Sequence, residues 1–132
     1  MSAKPLVLRT GADKRLRAGH VWIYSNEVDT KATPLKDFEP GEEVQVVDSQ
    51  GRPRAAAYVN PNTLICGRVY SRDPNQALDR PLIVHRLNIA LSLREMNFTD
   101  PCYRLVYGDS DGLPGLVIDR FFDIFVVQIS TA

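Results

Sequence analysis

The sequence predicts a fold that is mainly β with some α: a small β-barrel or sandwich, followed by an α+β unit with one long helix and antiparallel strands. Over residues 1–70, short β-rich runs alternate with turn residues, which is typical of small all-β folds. From Asp79 to about Asn97 the apolar residues instead recur at helical spacing. Strand-like runs then return after Pro101. The change of period divides the chain into two parts.

Five strands and one short helix are predicted in the first part. The strands cover residues 6–9, 21–24, 43–48, 54–59 and 64–70. The helix, over residues 13–18, ends at Gly19, because glycine readily adopts the left-handed conformation that follows a helix C-terminus. Residues 29–42 contain Pro34, Pro40 and Gly41, and we expect an irregular connection there.

The helix of the second part has clear sequence signals at its start. Asp79 is a candidate N-cap and Pro81 falls in the first turn. One face is polar, with His85, Asn88, Ser92 and Glu95, and the predicted apolar surface comprises Ile83, Val84, Leu87, Ala90, Leu91 and Met96. Strands are predicted at 103–107, 116–119 and 124–130, the last two joined as a hairpin at 120–123. A sheet that ends so abruptly suggests a domain cut from a longer protein.

The charge of the chain is zero overall but unevenly distributed. Its 132 residues include 16 Lys and Arg against 16 Asp and Glu, and the 44% hydrophobic content argues against disorder. Residues 1–24 carry a net charge of +4 and residues 51–75 carry +3, whereas residues 26–50 between them carry −5. A fold that joins the two basic blocks would make a cationic face that attracts phosphate groups. The alternative is that these charges are scattered over a solvated surface.

Several classes of protein are excluded by composition. The two cysteines form no C-x-x-C motif and no disulfide framework, and neither a secretory signal nor a membrane-length apolar run is present. We therefore expect a cytoplasmic protein with reduced thiols. Cys66 and Cys102 are interpreted as packing residues rather than nucleophiles. His20 and His85 have too few partners to form a metal site.

Residues 108–115 form the densest cluster of turn-forming residues. Their spacing does not match a calcium loop, because the glycine falls at the fourth position and Arg120 stands where the bidentate Glu should be. They also lack the Gly-Lys-Ser/Thr of a P-loop and the following helix of a dinucleotide-binding loop. We interpret this segment as a conformationally demanding connection between strands.

A second cluster, in residues 14–22, combines cations with an aromatic residue. Lys14, Arg15 and Arg17 lie on the predicted short helix, and Lys and Arg side chains supply phosphate contacts in nucleic-acid-binding proteins. Trp22 could stack on a nucleobase, but its neighbours Ile23 and Tyr24 favour a place in the core.

Three stretches together resemble one family. They are residues 8–28, residues 41–61 and residues 103–120, the last containing Tyr107-Gly108-Asp109-Ser110-Asp111-Gly112-Leu113-Pro114-Gly115. They are similar to class I S-adenosylmethionine-dependent methyltransferases typified by the large-subunit ribosomal RNA methyltransferase I group. The resemblance covers essentially the whole chain. It implies a PUA-like RNA-binding domain over residues 1–72 and, over residues 73–132, the beginning of a linking α+β domain.

The resemblance also implies a function. Members of the family methylate C5 of a cytosine in 23S ribosomal RNA, using a Rossmann-like domain that holds the S-adenosylmethionine loop and a catalytic Cys. Neither can be placed in this chain, so we expect no catalytic residue, no cofactor and no metal here, and no methylation by the chain alone. A calorimetric titration that found micromolar cofactor binding would contradict this. The implied partners are 23S ribosomal RNA and the missing C-terminal methyltransferase domain, with no membrane.

The candidate RNA-binding residues come from the two basic blocks and the glycine corner. They are Lys14, Arg15, Arg17, His20, Arg52, Arg54, Arg68 and Arg72. Two departures from the family concern turns rather than chemistry: Val21 replaces the usual Pro, and Phe122 replaces the usual Gly. Because a bulky residue with positive φ is an outlier, we expect a different turn type at Phe122.

Two other interpretations remain open. The barrel could be a scaffold for intramolecular or protein contacts, with RNA bound by the missing domain, which the acidic block and the zero net charge favour. Alternatively, the parent enzyme could be an RNA methyltransferase that acts on transfer RNA or on another base.

Overall fold

The computed structural model describes residues 3–130. Contacts between residues divide the chain into two compact units, of which the first ends at Ala77 and the second begins at Leu78. The fold class predicted from the sequence is confirmed, with five strands and a short helix in the first unit, and a long helix and three strands in the second. No helix among the described residues is both long enough and apolar enough to cross a membrane.

The first unit contains the five predicted strands. They are β1 (Lys4–Val7), β2 (Trp22–Tyr24), β3 (Glu42–Val47), β4 (Pro53–Val59) and β5 (Ile65–Ser71), each bound lying within two residues of the prediction. Helix α1 (Asp13–Arg17) lies between β1 and β2, and Ala18 is its C-cap. Gly19 follows with a φ of 111°, which is the left-handed conformation expected after this helix. Short 3-10 helices at Ser25–Glu27 and Leu35–Asp37 interrupt the loops.

The five strands form one sheet in the order β1-β3-β4-β5-β2. Strand β1 is parallel to β3, and the other neighbours are antiparallel. The segment that follows the edge strand β2 pairs with the end of the other edge strand, β1, because Leu8 forms a β-bridge with Val28 and the backbone N–H of Asp29 donates to the carbonyl of Val7 at 2.8 Å. The sheet therefore closes on itself as a small barrel.

The barrel core takes alternate residues from β3 and β4, as the period of a strand requires. It contains Leu6, Leu8, Leu16, Ile23, Val28, Phe38, Val44, Val46, Ala55, Ala57, Val59, Cys66 and Val69. Strand β2 approaches β5 closely where Ile23 meets Gly67. A Cβ on Gly67 would lie 3.1 Å from the Ile23 Cβ, so only glycine allows this approach without a shift. Ile23 thus faces inward, and its neighbours on β2 face the opposite way.

The second unit consists of α2 (Arg80–Asn97) and an antiparallel sheet of β6 (Cys102–Tyr107), β7 (Leu116–Phe121) and β8 (Ile124–Ile129). The predicted helix start is confirmed: the Asp79 carboxylate accepts a hydrogen bond from the Leu82 N–H at 3.1 Å, and Pro81 lies in the first turn. A small core forms around Ala90, Leu105, Val106 and Leu113. All six residues of the edge strand β8 are exposed.

The predicted apolar surface of α2 is partly wrong. Val84 and Met96 are exposed. Two arginines lie on the packed side of the helix instead, where Arg86 donates to the Gly112 carbonyl and Arg94 donates to Asp111 Oδ2 at 2.9 Å. These arginines bind the connection that follows β6. Part of the packed surface of α2 is therefore formed by charged residues.

The connection between β6 and β7 is as demanding as predicted. It begins with a 3-10 helix (Gly108–Asp111), and Gly108, Gly112 and Gly115 all have positive φ, between 50° and 76°. The prediction for the next turn is wrong. Phe122 occupies the first position of a two-residue hairpin turn with a φ of 56°, so the backbone keeps a left-handed residue at the position where the resemblance implies glycine. The Phe122 N–H donates to the Pro101 carbonyl at 2.7 Å, which holds the turn in place.

Candidate nucleic-acid interface

The fold brings the two basic blocks of the sequence together around α1. Arg54 of β4 places its Nη2 atom 4.0 Å from the Oδ2 atom of Asp13, the first residue of α1. Arg72, which follows β5, donates from Nη1 to the carbonyl of Leu16 at 2.6 Å. We call this surface the α1 surface and define it by its cations: Lys14, Arg15, Arg17, Arg52, Arg54 and Arg72. Six of the eight predicted residues therefore share one region of the barrel.

Asp48 holds two of these arginines in place. Its Oδ2 atom lies 3.0 Å from Nε of Arg52 and 3.0 Å from Nη2 of Arg54, and Oδ1 accepts hydrogen bonds from the N–H groups of Gln50 and Arg52. The Arg52 backbone N–H lowers the pKa of Asp48 most. Although burial opposes the shift, the Gln50 N–H and the two guanidinium groups lower the pKa further, to about 2. Asp48 is therefore ionised at neutral pH, and it fixes the positions of Arg52 and Arg54 on the α1 surface.

Asp13 and Asp48 do not cancel the charge of the arginines that they pair with. Asp13 pairs with Arg17 (Oδ2 to Nε, 3.2 Å) and Asp48 pairs with Arg52 and Arg54, which leaves three guanidinium groups against two carboxylates. The side chains of Arg17 and Arg52 remain more than half exposed. Both can therefore reach a phosphate without leaving their carboxylate partners.

The remaining cations of α1 are less constrained. The Nη1 atom of Arg15 lies 3.7 Å from Oε1 of Glu27, and its guanidinium lies over the Tyr24 ring at 5.2 Å. Lys14 is exposed, and among residues 3–130 no carboxylate lies within ion-pair distance of it. His20 is also exposed, and its backbone N–H donates to the Arg15 carbonyl at 3.1 Å. Lys14 is thus the most available charge on this helix.

Arg68 lies apart from the other candidates, on the outer face of the barrel. It is the cross-strand neighbour of Trp22, and its guanidinium carbon lies 5.5 Å from the centre of the indole ring. Trp22 is 40% exposed, so the interpretation of this residue as part of the core is wrong. Strand alternation explains the difference, because Ile23 already occupies the inward position of β2.

Neither cysteine is placed as a nucleophile. Cys66 is buried in the barrel, as predicted, and burial raises the pKa of its thiol to about 11, so the thiol stays protonated at neutral pH. Cys102 is exposed, and the expectation that it is a packing residue is wrong. In the part of the chain that the structure describes, no three His, Cys, Asp or Glu side chains gather as a metal site.

The described residues do not fit a loop for S-adenosylmethionine. Such a loop is rich in glycine and leads from a strand into a helix. The glycine-rich segment 108–115 leads into strand β7. Of the connections that lead from a strand into a helix, residues 8–12 before α1 contain one glycine, Gly11, and residues 72–79 before α2 contain none. No step of a reaction is assigned to this part of the chain.

Sequence reasoning missed the groups that organise the α1 surface. Asp13, Asp48 and Tyr24 were not among the candidates, although each contacts a predicted arginine. A signal for Asp48 does exist, because it precedes Arg52 by four residues and Arg54 by six, across the turn at Gly51. An acidic residue just before a turn that leads to two arginines is a candidate anchor for both.

This barrel defines the class of the protein. The PUA-like domain family matches residues 6–72, and the chain belongs to that family. It is 38% identical over 130 residues to ribosomal RNA large subunit methyltransferase I of Erwinia tasmaniensis, covering 96% of this chain and 32% of that protein. The protein of the same name from Escherichia coli is 36% identical over 130 residues, with the same coverage of both chains. This chain spans about a third of the length of the curated relatives it matches.

Solved structures support the fold of both units. A protein from Streptococcus mutans, described as a SAM-dependent methyltransferase, superposes with a TM-score of 0.78 over 98% of this chain and 33% of its own, at 17% identity. A second, solved in complex with SAH and described as a methyltransferase, gives the same TM-score and coverage at 18% identity. The family resemblance drawn from residues 8–28, 41–61 and 103–120 is therefore confirmed.

Proposed function

We propose that this chain is the RNA-binding and positioning part of an S-adenosylmethionine-dependent methyltransferase that acts on C5 of a cytosine in 23S ribosomal RNA. The observation that carries the proposal is the meeting of two distant basic blocks on the α1 surface. The names of the relatives support ribosomal RNA as the ligand. The catalytic step and the cofactor belong to the longer parent enzyme, whose methyltransferase domain is the second partner, in the cytoplasm.

The chemistry of the α1 surface suits phosphate groups. Arginine forms paired hydrogen bonds with phosphate oxygens, and neutralising phosphates releases the counterions of the RNA, which drives binding at low salt. Folded RNA is recognised largely by shape and backbone contacts. We therefore expect binding that depends strongly on salt and weakly on sequence, with the barrel orienting the RNA for the rest of the enzyme.

The proposal is tested by reversing the two charges that are least involved in holding α1. Lys14→Glu with Arg15→Glu leaves the Asp13 and Asp48 ion pairs intact. We expect the affinity for a structured 23S ribosomal RNA fragment to fall at least about tenfold near 0.1 M salt. The slope of log affinity against log salt should become shallower by about 1.5, because two phosphate contacts are lost.

A matched control is available in the acidic block of the same unit. Lys31→Glu with Lys36→Glu changes the net charge by the same amount at two exposed positions away from α1, and it should change affinity much less. If the two double variants behave alike, or if neither alters affinity or salt slope, the α1 surface is not the RNA site. Equal affinity for a transfer RNA would instead favour the alternative that the parent acts on another RNA.

One set of observations favours a second function. Arg52, Arg54 and Arg17 are paired with carboxylates, and residues 26–50 carry a net charge of −5, which are features of a protein-interaction scaffold. On that account the chain does not bind RNA, and its barrel serves contacts within the parent enzyme. A gel-shift of the wild-type chain with ribosomal RNA at moderate salt separates the two functions.

A further inference from the structure

Trp22 and Arg68 form an ordered pair on the outer face of the barrel. The guanidinium carbon of Arg68 is 5.5 Å from the centre of the indole, which is within the range of a cation–π interaction. On the other side of Arg68, its cross-strand neighbour is Tyr58 on β4, which is buried. Arg68 therefore lies between two aromatic residues in a row that crosses β2, β5 and β4.

Among the described residues of the first unit, Trp22 and Leu64 are the large apolar side chains that stay exposed. Trp22 remains 40% exposed, while the residues on either side of it pack against the barrel core. A tryptophan held by an arginine and open to solvent has the features of a stacking platform, because nucleobases stack on aromatic rings and on guanidinium planes. The exposed 40% of its surface faces solvent, where a ligand can contact it.

Trp22 and Arg68 lie close in the chain to residues of the α1 surface. Trp22 follows α1 by five residues, through the corner at Gly19. Arg68 and Arg72 lie four residues apart on and just after β5, at most about 13 Å along the strand direction. An RNA backbone bound by Arg72 and α1 would therefore have nucleotides within reach of Trp22.

We propose that Trp22, with Arg68, is a stacking site for an unpaired nucleobase. This inference rests on the proposed function, since the α1 surface supplies the phosphate contacts that bring the RNA to the barrel. It also specifies the class of ligand. A base inside a duplex is already stacked on its neighbours, so Trp22 selects RNA that presents an extruded or single-stranded nucleotide beside a folded region.

The chain contains a single tryptophan, so the indole itself reports on the site. A single-stranded 12-nucleotide RNA should change the intensity and emission maximum of Trp22 fluorescence with a saturable titration curve. A blunt, fully paired duplex of the same length should bind through its phosphates with a much smaller change. The comparison separates stacking on Trp22 from electrostatic binding elsewhere on the barrel.

Substitutions give the energetic test. Trp22→Ala should weaken binding of the single strand about 5- to 150-fold, the range for loss of one stacked base, and should leave duplex affinity within about twofold. Trp22→Phe should retain most of the single-strand affinity, because an aromatic face remains. Tyr107→Ala is the matched control: Tyr107 is an exposed aromatic under Arg104 (5.3 Å) in the second unit, and its loss should change neither affinity.

The outcomes distinguish the stacking site at Trp22 from RNA binding by the α1 surface. Salt-dependent binding with unchanged Trp22 fluorescence, or equal losses for single strand and duplex in Trp22→Ala, overturns the stacking site and leaves the α1 surface intact. If neither RNA binds in a salt-dependent way, the proposed function fails, and the stacking site fails with it. Circular dichroism of Trp22→Ala and Trp22→Phe checks that both variants fold as the wild-type chain does.

Discussion

At the scale of single residues, the arrangement of the α1 surface depends on Asp48. This carboxylate is almost fully buried, yet it accepts two backbone hydrogen bonds and holds the guanidinium groups of Arg52 and Arg54. Because its charged form has these partners only in the folded chain, the lowered pKa is also a statement about stability. The same ion pairs restrain two arginines that would otherwise be flexible.

The stability that Asp48 contributes should therefore depend on pH. Its pKa falls from 3.8 to about 2 on folding, so the contribution is present above about pH 4 and is lost as the pH falls towards 2. Asp48→Asn should lower the urea midpoint clearly near pH 7, and the difference from the wild type should shrink as the pH approaches 2. Asp37→Asn, at an exposed position, is the control and should change little at any pH. A difference for Asp48→Asn that stays constant with pH would contradict this role.

Single residues were also where sequence reasoning was weakest. Trp22 was assigned to the core from its apolar neighbours, but the phase of a three-residue strand cannot be read from so short a pattern. Cys102 was likewise assigned to the interior, because free cysteine is usually a buried residue type, but its side chain is exposed. In both cases the deciding factor is which way the side chain faces, and this is set by strand pairing with distant residues.

At the scale of elements, most of the fold could be predicted. Turn residues separate the strands of the barrel, and the Asp79 cap with Pro81 marks the start of α2. The buried surface of α2 was harder to predict, because it depends on which other segment of the chain packs against the helix. Arg86 and Arg94 reach across to residues 111 and 112, a contact that no periodicity in the helix reveals.

The hairpin between β7 and β8 leads to a prediction about stability. Phe122 has a φ of 56°, a conformation that costs a non-glycine residue roughly 1–2 kcal/mol, and its side chain is mostly exposed. Phe122→Gly should therefore stabilise the chain by about 0.5–1 kcal/mol in denaturant unfolding, after the greater backbone freedom of unfolded glycine is subtracted. Asp123→Gly, where φ is not positive, should be neutral or destabilising. Destabilisation by Phe122→Gly would show that the phenyl group makes contacts that outweigh the strain.

At the scale of the whole molecule, the central feature is that residues far apart in the sequence share one surface. Arg54 and Arg72 reach Asp13 and Leu16 because the barrel closes through the Leu8–Val28 bridge and sets β4 and β5 beside α1. The two basic blocks were visible in the sequence, but their meeting was one of two open alternatives. Only long-range strand pairing decides between them, and local patterns carry little information about it.

The claim that RNA binds the barrel through the α1 surface is tested most directly by NMR. In the ¹⁵N-labelled 132-residue chain, titration with a structured 23S ribosomal RNA fragment should shift most strongly the backbone amides of residues 13–22, Arg52, Arg54 and residues 68–72. The amides of α2 and of β6, β7 and β8 should move little. Shifts concentrated in the second unit, or no shifts at concentrations where the RNA is bound, would contradict the account.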